Sequence, residues 1–189
     1  TAHTPRRPTV TSASSSLPAP GQFLTFLVGG EEYAAPILQV REIVEFSDVT
    51  RMPAMPPCIR GVVNLRGQVV PVVDLSLRFG YGEASLSRKT CIVMVDADLD
   101  GDRTVVGLLV DSVSQVLDLH SQDIEPPPSF GTRIRVDFLS GLGKAASKFV
   151  LLLDLPRVLS VDELAQAHSL VASPPASDLT PPSQASQAA

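Results

Sequence analysis

The amino-acid sequence predicts a mainly β fold, a small barrel or sandwich with little helix. Valine dominates the central region, and β-branched side chains favour strands. Short apolar runs recur through that region with Gly- and Pro-rich segments between them, which is the pattern of all-β barrels and sandwiches. Hydrophobic residues make up 44% of the 189 residues, so these strands have enough apolar surface to bury a core.

Seven apolar runs fit strands, and Gly- and Pro-rich turns separate them. They cover residues 23–28, 40–46, 61–65, 68–75, 91–95, 104–119 and 149–155. A helix is predicted at 161–172, because Ser160 followed by Glu163 matches a capping box. An inward-facing apolar set is predicted for Tyr33, Ala35, Ile37 and Leu38.

Both ends of the chain lack core-forming content. Residues 1–20 and 173–189 are rich in Ser, Thr, Pro and Ala without an apolar period, and such composition is typical of disorder. We therefore expect a disordered N-terminal tail over 1–20 and a disordered C-terminal tail over 173–189. The folded domain is expected over 21–160, followed by the helix.

Charge and composition argue against several classes of function. The net charge is −5 and the basic residues form no extended cluster, whereas nucleic-acid binding needs a basic face. A small nucleic-acid-binding barrel is therefore a less favoured alternative. No apolar run is long enough to cross a bilayer. Cys58 and Cys91 form no metal or redox motif, which predicts two reduced thiols in a cytoplasmic protein.

Three motifs suggest active or binding sites, but each lacks residues that the corresponding site requires. Residues 96–102 match the first half of a calcium loop, yet its twelfth position is Gly107 instead of Glu and its flanks predict strands. Residues 140–147 lack the first glycine and the final Ser or Thr of a phosphate-binding loop. The three histidines stand in no recognisable nucleophile motif. The sequence predicts no metal site, no cofactor and no enzyme.

The segment 61–75, GVVNLRGQVVPVVDL, predicts a tight hairpin that displays one charge. Its apolar arms flank Arg66 and Gly67, and glycine supplies the left-handed backbone conformation that a short turn requires. Gly61 is also predicted to lie in a structural turn. Glu42 shares a strand face with two valines, so it needs a donor and is the expected partner of Arg66. A purely structural ion pair fits the same residues equally well.

Five motifs follow one another between residues 22 and 159. They are FLTFLVGGEEYAAPILQVREI, PPCIRGVVNLRGQVVPVVDLSLRF, VGLLVDSVSQVLDL, DIEPPP, and LSGLG followed by FVLLLDLPRVL. In this order and spacing they are specific, and the chain resembles the CheW family of chemotaxis coupling proteins. The resemblance covers nearly all of the expected folded domain.

The resemblance implies a fold and a set of partners. The fold would be two intertwined SH3-like five-stranded β-barrels with a groove between them, short helical turns and a C-terminal helix. The protein would be a non-enzymatic adaptor that couples chemoreceptors to the regulatory domain of a CheA-type histidine kinase. Other CheW-like domains would join it in array rings, in the cytoplasm at membrane-associated receptor arrays. A stand-alone adaptor is preferred to a module of a larger signalling protein, because no receiver-like aspartate cluster is present.

The resemblance also implies roles for individual residues. Phe130, after the triple proline, would match a kinase or ring contact. The residues that it implies in receptor binding are Arg66, Glu42, Val40, Ile37, Val106 and Gly107. Of these, Val106 and Gly107 would line the groove.

Overall fold

A computed structural model gives the fold of this chain. The predicted disordered tails lie almost entirely outside the described residues, as do Phe130 and the centre of the predicted 96–102 loop. The described residues are 17–47, 49–99, 102–128 and 134–172.

The described residues form eleven strands, so the mainly β prediction is confirmed. The strands are β1 (Gly21–Val28), β2 (Glu31–Pro36), β3 (Val40–Glu45), β4 (Ile59–Leu65), β5 (Gln68–Asp74), β6 (Cys91–Leu99), β7 (Asp102–Val110), β8 (Ser112–Leu119), β9 (Ile124–Glu125), β10 (Leu139–Ala145) and β11 (Lys148–Leu153). The helices are α1 (Leu75–Arg78), α2 (Leu155–Val158) and α3 (Val161–Ala172), with 3-10 turns at Ile37–Gln39, Ser121–Asp123 and Val136–Phe138.

Two sheets share the chain, and the strands of one, β3 to β7, are inserted between β2 and β8 of the other. The five-stranded sheet β3-β6-β7-β5-β4, with α1, is called the first unit below, and the six-stranded sheet β8-β1-β2-β11-β10-β9, with α2, the second unit. The sixth strand arises because the two-residue β9 adds to β10. Both sheets are open, since their terminal strands do not pair within the described residues. The intertwining implied by the family resemblance is present.

Three strands of the second unit, β2, β10 and the two-residue β9, were not predicted from the sequence. The residues of β2 and β10, EEYAAP and LSGLGKA, lack the β-branched side chains that favour strands. Close packing explains the small residues in β10, because a Cβ atom on Gly143 would lie 2.7 Å from the Leu119 side chain. The single run predicted at 104–119 divides at Asp111 into β7 and β8.

The two units are built on one plan. Strand β5 pairs in parallel with β7, and β11 pairs in parallel with β2. The hairpins β4–β5 and β10–β11 each carry a register shift beside a glycine, Gly61 in one and Gly141 in the other. Each hairpin ends in an aspartate, Asp74 or Asp154, that caps a four-residue helix. The sequences of the hairpins therefore correspond residue by residue.

Apolar clusters lie inside each unit and between the units. The strand interiors bury one cluster in the first unit, with Val70 and Val72, and another in the second, with Val150 and Leu152. A third and larger cluster includes residues of both sheets. Within it, the rings of Tyr33 and Phe79 lie 4.9 Å apart and those of Phe79 and Phe138 lie 6.1 Å apart.

Arg78 ties α1 of the first unit to the C-terminal elements. Its Nε donates to the carbonyl oxygen of Val158 at 2.8 Å, and its Nη1 donates to Oε2 of Glu163 at 2.7 Å. The guanidinium carbon also lies 5.2 Å from the ring centre of Phe138. Glu163, which the sequence predicts in a capping box, is the residue that holds α3 on the first unit through Arg78.

Asp74 and Asp154 occupy equivalent positions but differ in burial, which allows a matched prediction. Asp74 is fully buried and accepts from Arg60, itself only 11% exposed, at 3.0 Å. Asp154 is 26% exposed at its side chain. Asp74→Ala leaves a buried guanidinium without its main partner, so the free energy of unfolding should fall by about 3–5 kcal/mol. Asp154→Ala removes a helix cap and should cost about 1 kcal/mol. Urea unfolding of both variants measures the difference, and equal losses would contradict the prediction.

A second prediction concerns Cys58, which lies under α3. Burial, followed by the nearby Glu163 carboxylate, raises the pKa of the Cys58 thiol to about 11. The unfolded chain ionises a thiol at about pH 8.5, so this group favours the folded state fully below that pH. The advantage is lost as the pH rises towards 11. Stability measured across this range should therefore decline more steeply in the natural chain than in Cys58→Ser, and parallel curves would refute the assignment.

Candidate partner-binding site

The hairpin between β4 and β5 has the shortest loop that two antiparallel strands allow. Leu65 pairs with Gln68, so Arg66 and Gly67 alone make the turn. Both have left-handed backbone angles, with φ of 51° and 86°, as a type I′ turn requires. The Gly67 N–H donates to Oδ1 of Asn64 at 2.9 Å. The sequence predicted the left-handed conformation at Gly67 but not at Arg66.

Arg66 meets the partner that the sequence predicted. Its Nη2 donates to Oε2 of Glu42 at 3.0 Å. The Arg66 side chain is 80% exposed and that of Glu42 is 28% exposed. An exposed ion pair contributes about 0–1 kcal/mol to stability, and this geometry leaves most guanidinium donors of Arg66 directed to solvent. The pair can therefore orient a charge for a partner while contributing little to the fold.

Strand β3 places Glu42 among apolar neighbours. Val40, Glu42 and Val44 are half-buried, while the residues between them are exposed, so the alternation predicted from the sequence is confirmed. A register shift lies between Val40 and Glu42. Val40 and Ile37 pack against the cluster shared by both units. Arg66, Glu42 and Val40 therefore share one end of the first unit.

A groove lies between the two units, but its lining differs from the one implied by the resemblance. It has a volume of about 230 Å³. Val106 is fully buried in the shared cluster, so its side chain does not line an open surface. A Cβ on Gly107 would lie 2.7 Å from Ile92, which places Gly107 under its neighbours in the sheet. The residues that line the groove are Leu38, Gln39, Asp96, Ala97, Asp98, Arg103, Leu155, Pro156 and Leu159.

Two further expectations from the sequence are corrected by the structure. Leu38, predicted to face inward, is 94% exposed, because the chain turns through a 3-10 helix at Ile37–Gln39 and leaves the β alternation. Gly61 lies within β4 instead of a turn. A Cβ at Gly61 would come within 2.3 Å of the Thr50 carbonyl oxygen, so the glycine is needed for close backbone approach. Gly67 occupies a turn, as predicted.

Sequence reasoning missed several exposed residues near this end of the molecule. Ile43 and Val69 are 44% and 45% exposed. The alternation along β3 could have identified Ile43 as outward-facing, but the interior of β5 is apolar throughout and buried from Val70 onward, so no such pattern marks Val69. Arg41 Nε lies 3.0 Å from Oδ1 of Asp96. That ion pair lies at segment 96–102, for which the sequence predicts no calcium site, and the flanks of this segment are the antiparallel strands β6 and β7. The described residues contain no group of three or more His, Cys, Asp and Glu that could hold a metal ion.

Comparison with known proteins identifies the family. The model of the CheW-like domain family matches residues 22–163. The chain belongs to the CheW-like family. None of the helices that the structure describes is long and apolar enough to span a membrane.

Individual CheW-like relatives match over most of their length. The "Chemotaxis protein CheW" of Klebsiella aerogenes is 37% identical over 152 residues, which cover 80% of this chain and 89% of the relative. That of Rhizobium meliloti is 34% identical over 155 residues, covering 82% and 97%. The crystal structure of the scaffolding protein TtCheW from Thermoanaerobacter tengcongensis matches with a TM-score of 0.64 and 35% identity, over 73% of this chain and 86% of that one. The fold described above is thus shared with a solved CheW.

Proposed function

We propose that this chain is a non-enzymatic scaffold that couples chemoreceptors to a CheA-type histidine kinase. The observation that carries the proposal is the Arg66–Glu42 ion pair, presented on a two-residue turn at the end of the first unit. Its side chains add little to the fold, so they are available for binding. The family membership of the chain supports the class of partner.

The receptor-binding surface is proposed to include Arg66, Glu42, Val40 and Ile37. The half-buried Val40 and Ile37 are anchored on the shared core, and so provide a rigid apolar base beside the charged pair. The fully buried Val106 and the covered Gly107 would support this surface from beneath without direct contact. A receptor segment that binds here would need an acidic group for the free donors of Arg66 and apolar side chains beside it.

The kinase or ring contact is proposed to include Phe130, on the family resemblance alone. The regulatory domain of the kinase and other CheW-like domains would be its partners in array rings. The protein would then work in the cytoplasm at membrane-associated receptor arrays.

The receptor role predicts that binding and stability separate at Arg66. Arg66→Ala should lower the free energy of unfolding by about 1 kcal/mol or less, because the side chain is exposed. Its affinity for the cytoplasmic tip of a chemoreceptor should fall by about 2–5 kcal/mol. Glu42→Ala should have the same effect on binding, and the double variant should be less than additive. Calorimetric titration and urea unfolding measure the two quantities.

Two controls make this experiment specific. Arg88→Ala removes another exposed arginine and should leave receptor binding unchanged. Val73→Ala truncates a side chain that is 3% exposed and should cost about 1–3 kcal/mol of stability. Kinase binding should survive in Arg66→Ala. Intact receptor binding in Arg66→Ala would exclude the proposed role, and unfolding of that variant would make the ion pair structural.

A further inference from the structure

The second unit has a counterpart of the Arg66–Glu42 site in which both charges are missing. Strands β3 and β8 show the same register shift, between Val40 and Glu42 in one and between Val113 and Val116 in the other. This alignment places Gln115 at the position of Glu42. At the tip of the β10–β11 hairpin, Ala146 replaces Arg66 and has the same φ of 51°.

A recess lies at the end of the second unit. It has a volume of about 470 Å³ and lies between β8 and the β10–β11 hairpin. Its apolar base includes Leu117, Leu119 and Val150. Ala145 and Ala146, which line the recess, correspond to Leu65 and Arg66 of the first unit. A recess of the same volume, about 470 Å³, lies there and is lined by Gln68, Val70 and Val105 among others. The apolar base of the recess in the second unit suits an aliphatic side chain.

The charges around the recess also suit a cation. Glu32, Asp118 and Asp123 line it from β2, β8 and the following 3-10 turn. Lys144 and Lys148 lie on the opposite, hairpin side. An arginine that enters from the β8 side would therefore meet carboxylates and remain away from the two lysines. Asp118 corresponds in register to Glu45 of the first unit.

The chain itself enters the second unit beside this recess. Gly21 pairs with Leu119, which lines the recess. Pro18 lies against β10, since its Cδ would be 3.3 Å from a Cβ built on Gly141. Ala145 is four residues farther along β10, about 13 Å away. Eight residues of extended chain before Pro18 reach about 26 Å, so residues near position 10 can reach the recess.

We propose that residues 6–11 of this chain, RRPTVT, bind in the recess of the second unit. Arg6 and Arg7 pair with Asp118 and Asp123, and Val10 covers the apolar base. A segment without a core of its own can still bind an existing groove when it is tethered close by. The segment thus supplies, from elsewhere in the chain, the side-chain chemistry that Leu65 and Arg66 supply in the first unit.

The test measures amide exchange of residues 9–11 by NMR in the full chain. A short flexible tether gives an effective concentration of about 1 mM, so a contact with a Kd of about 0.1 mM slows exchange about tenfold. Replacing both Arg6 and Arg7 by Ser should remove that protection and shift the resonances of Leu117 and Ala145. Asp118→Asn should weaken the protection from the other side. The matched control Arg88→Ser should change neither signal.

One variant tests the shape of the recess directly. Ala146→Arg places in the second unit the residue that the first unit carries at the same backbone angle, so the turn should accept it. The new side chain should fill the recess and abolish protection of residues 9–11, with the unfolding midpoint unchanged. If Ala146→Arg does not fold, the variant with Arg6 and Arg7 replaced by Ser still tests whether the segment binds in the recess.

Three results would overturn the proposal. The first is unprotected exchange at residues 9–11 in the natural chain. The second is protection that survives loss of both arginines. The third is protection that falls on dilution, because an intramolecular contact does not depend on protein concentration, and this would assign the recess to a second copy of the chain.

Discussion

Burial of one apolar cluster between the two sheets determines where the exposed features of this chain lie. Strands of both units contribute to it, with Phe26 and Leu153 from one and Val73 from the other. A strand alternates its faces every two residues, so Val73 in the shared cluster requires Val72 to face the interior of the first unit. Sliding either strand by one residue would exchange these faces. The hairpin that carries Arg66 is therefore held in a fixed register at the end of its sheet.

The two-residue hairpin, and not the arginine side chain, determines the left-handed conformation of Arg66. Ala146 adopts the same angle at the equivalent tip, although its side chain makes no ion pair. Non-glycine residues adopt this conformation at a cost of about 1–3 kcal/mol, which the surrounding strands must overcome. Strain alone thus gives no argument for binding at either tip. The two tips differ in the side chain that each displays, Arg66 or Ala146, and in the residue across from it, Glu42 or Gln115.

The sequence revealed the hairpin and its ion pair because both depend on local rules. Two apolar arms around Arg66 and Gly67 specify a turn, and alternation along β3 specifies the face of Glu42. Features that depend on packing between distant segments were not accessible. Leu38 was expected inside because it is apolar, but the 3-10 turn interrupts the alternation and leaves it exposed. Strand β10 was missed because contact with β8 requires a small residue there. Val106 is an apolar residue in a strand, and nothing local distinguishes a groove wall from a core position.

The insertion of the first unit between β2 and β8 of the second has a consequence for folding and for inheritance. The second unit takes β1 and β2 from before the first unit and β8 to β11 from after it, while α3 returns to pack near β5 and β6. The first unit is contiguous, from β3 to β7, but excising it would divide the second sheet and expose the cluster that both sheets bury. A single cooperative transition of both units is therefore the expected behaviour. Pairing such distant segments also raises contact order, which slows folding. A gene segment for residues 40–110 would encode every strand of the first unit. Its loss would leave the second unit split in sequence and with its side of the shared cluster exposed, so we expect the two units to be inherited together.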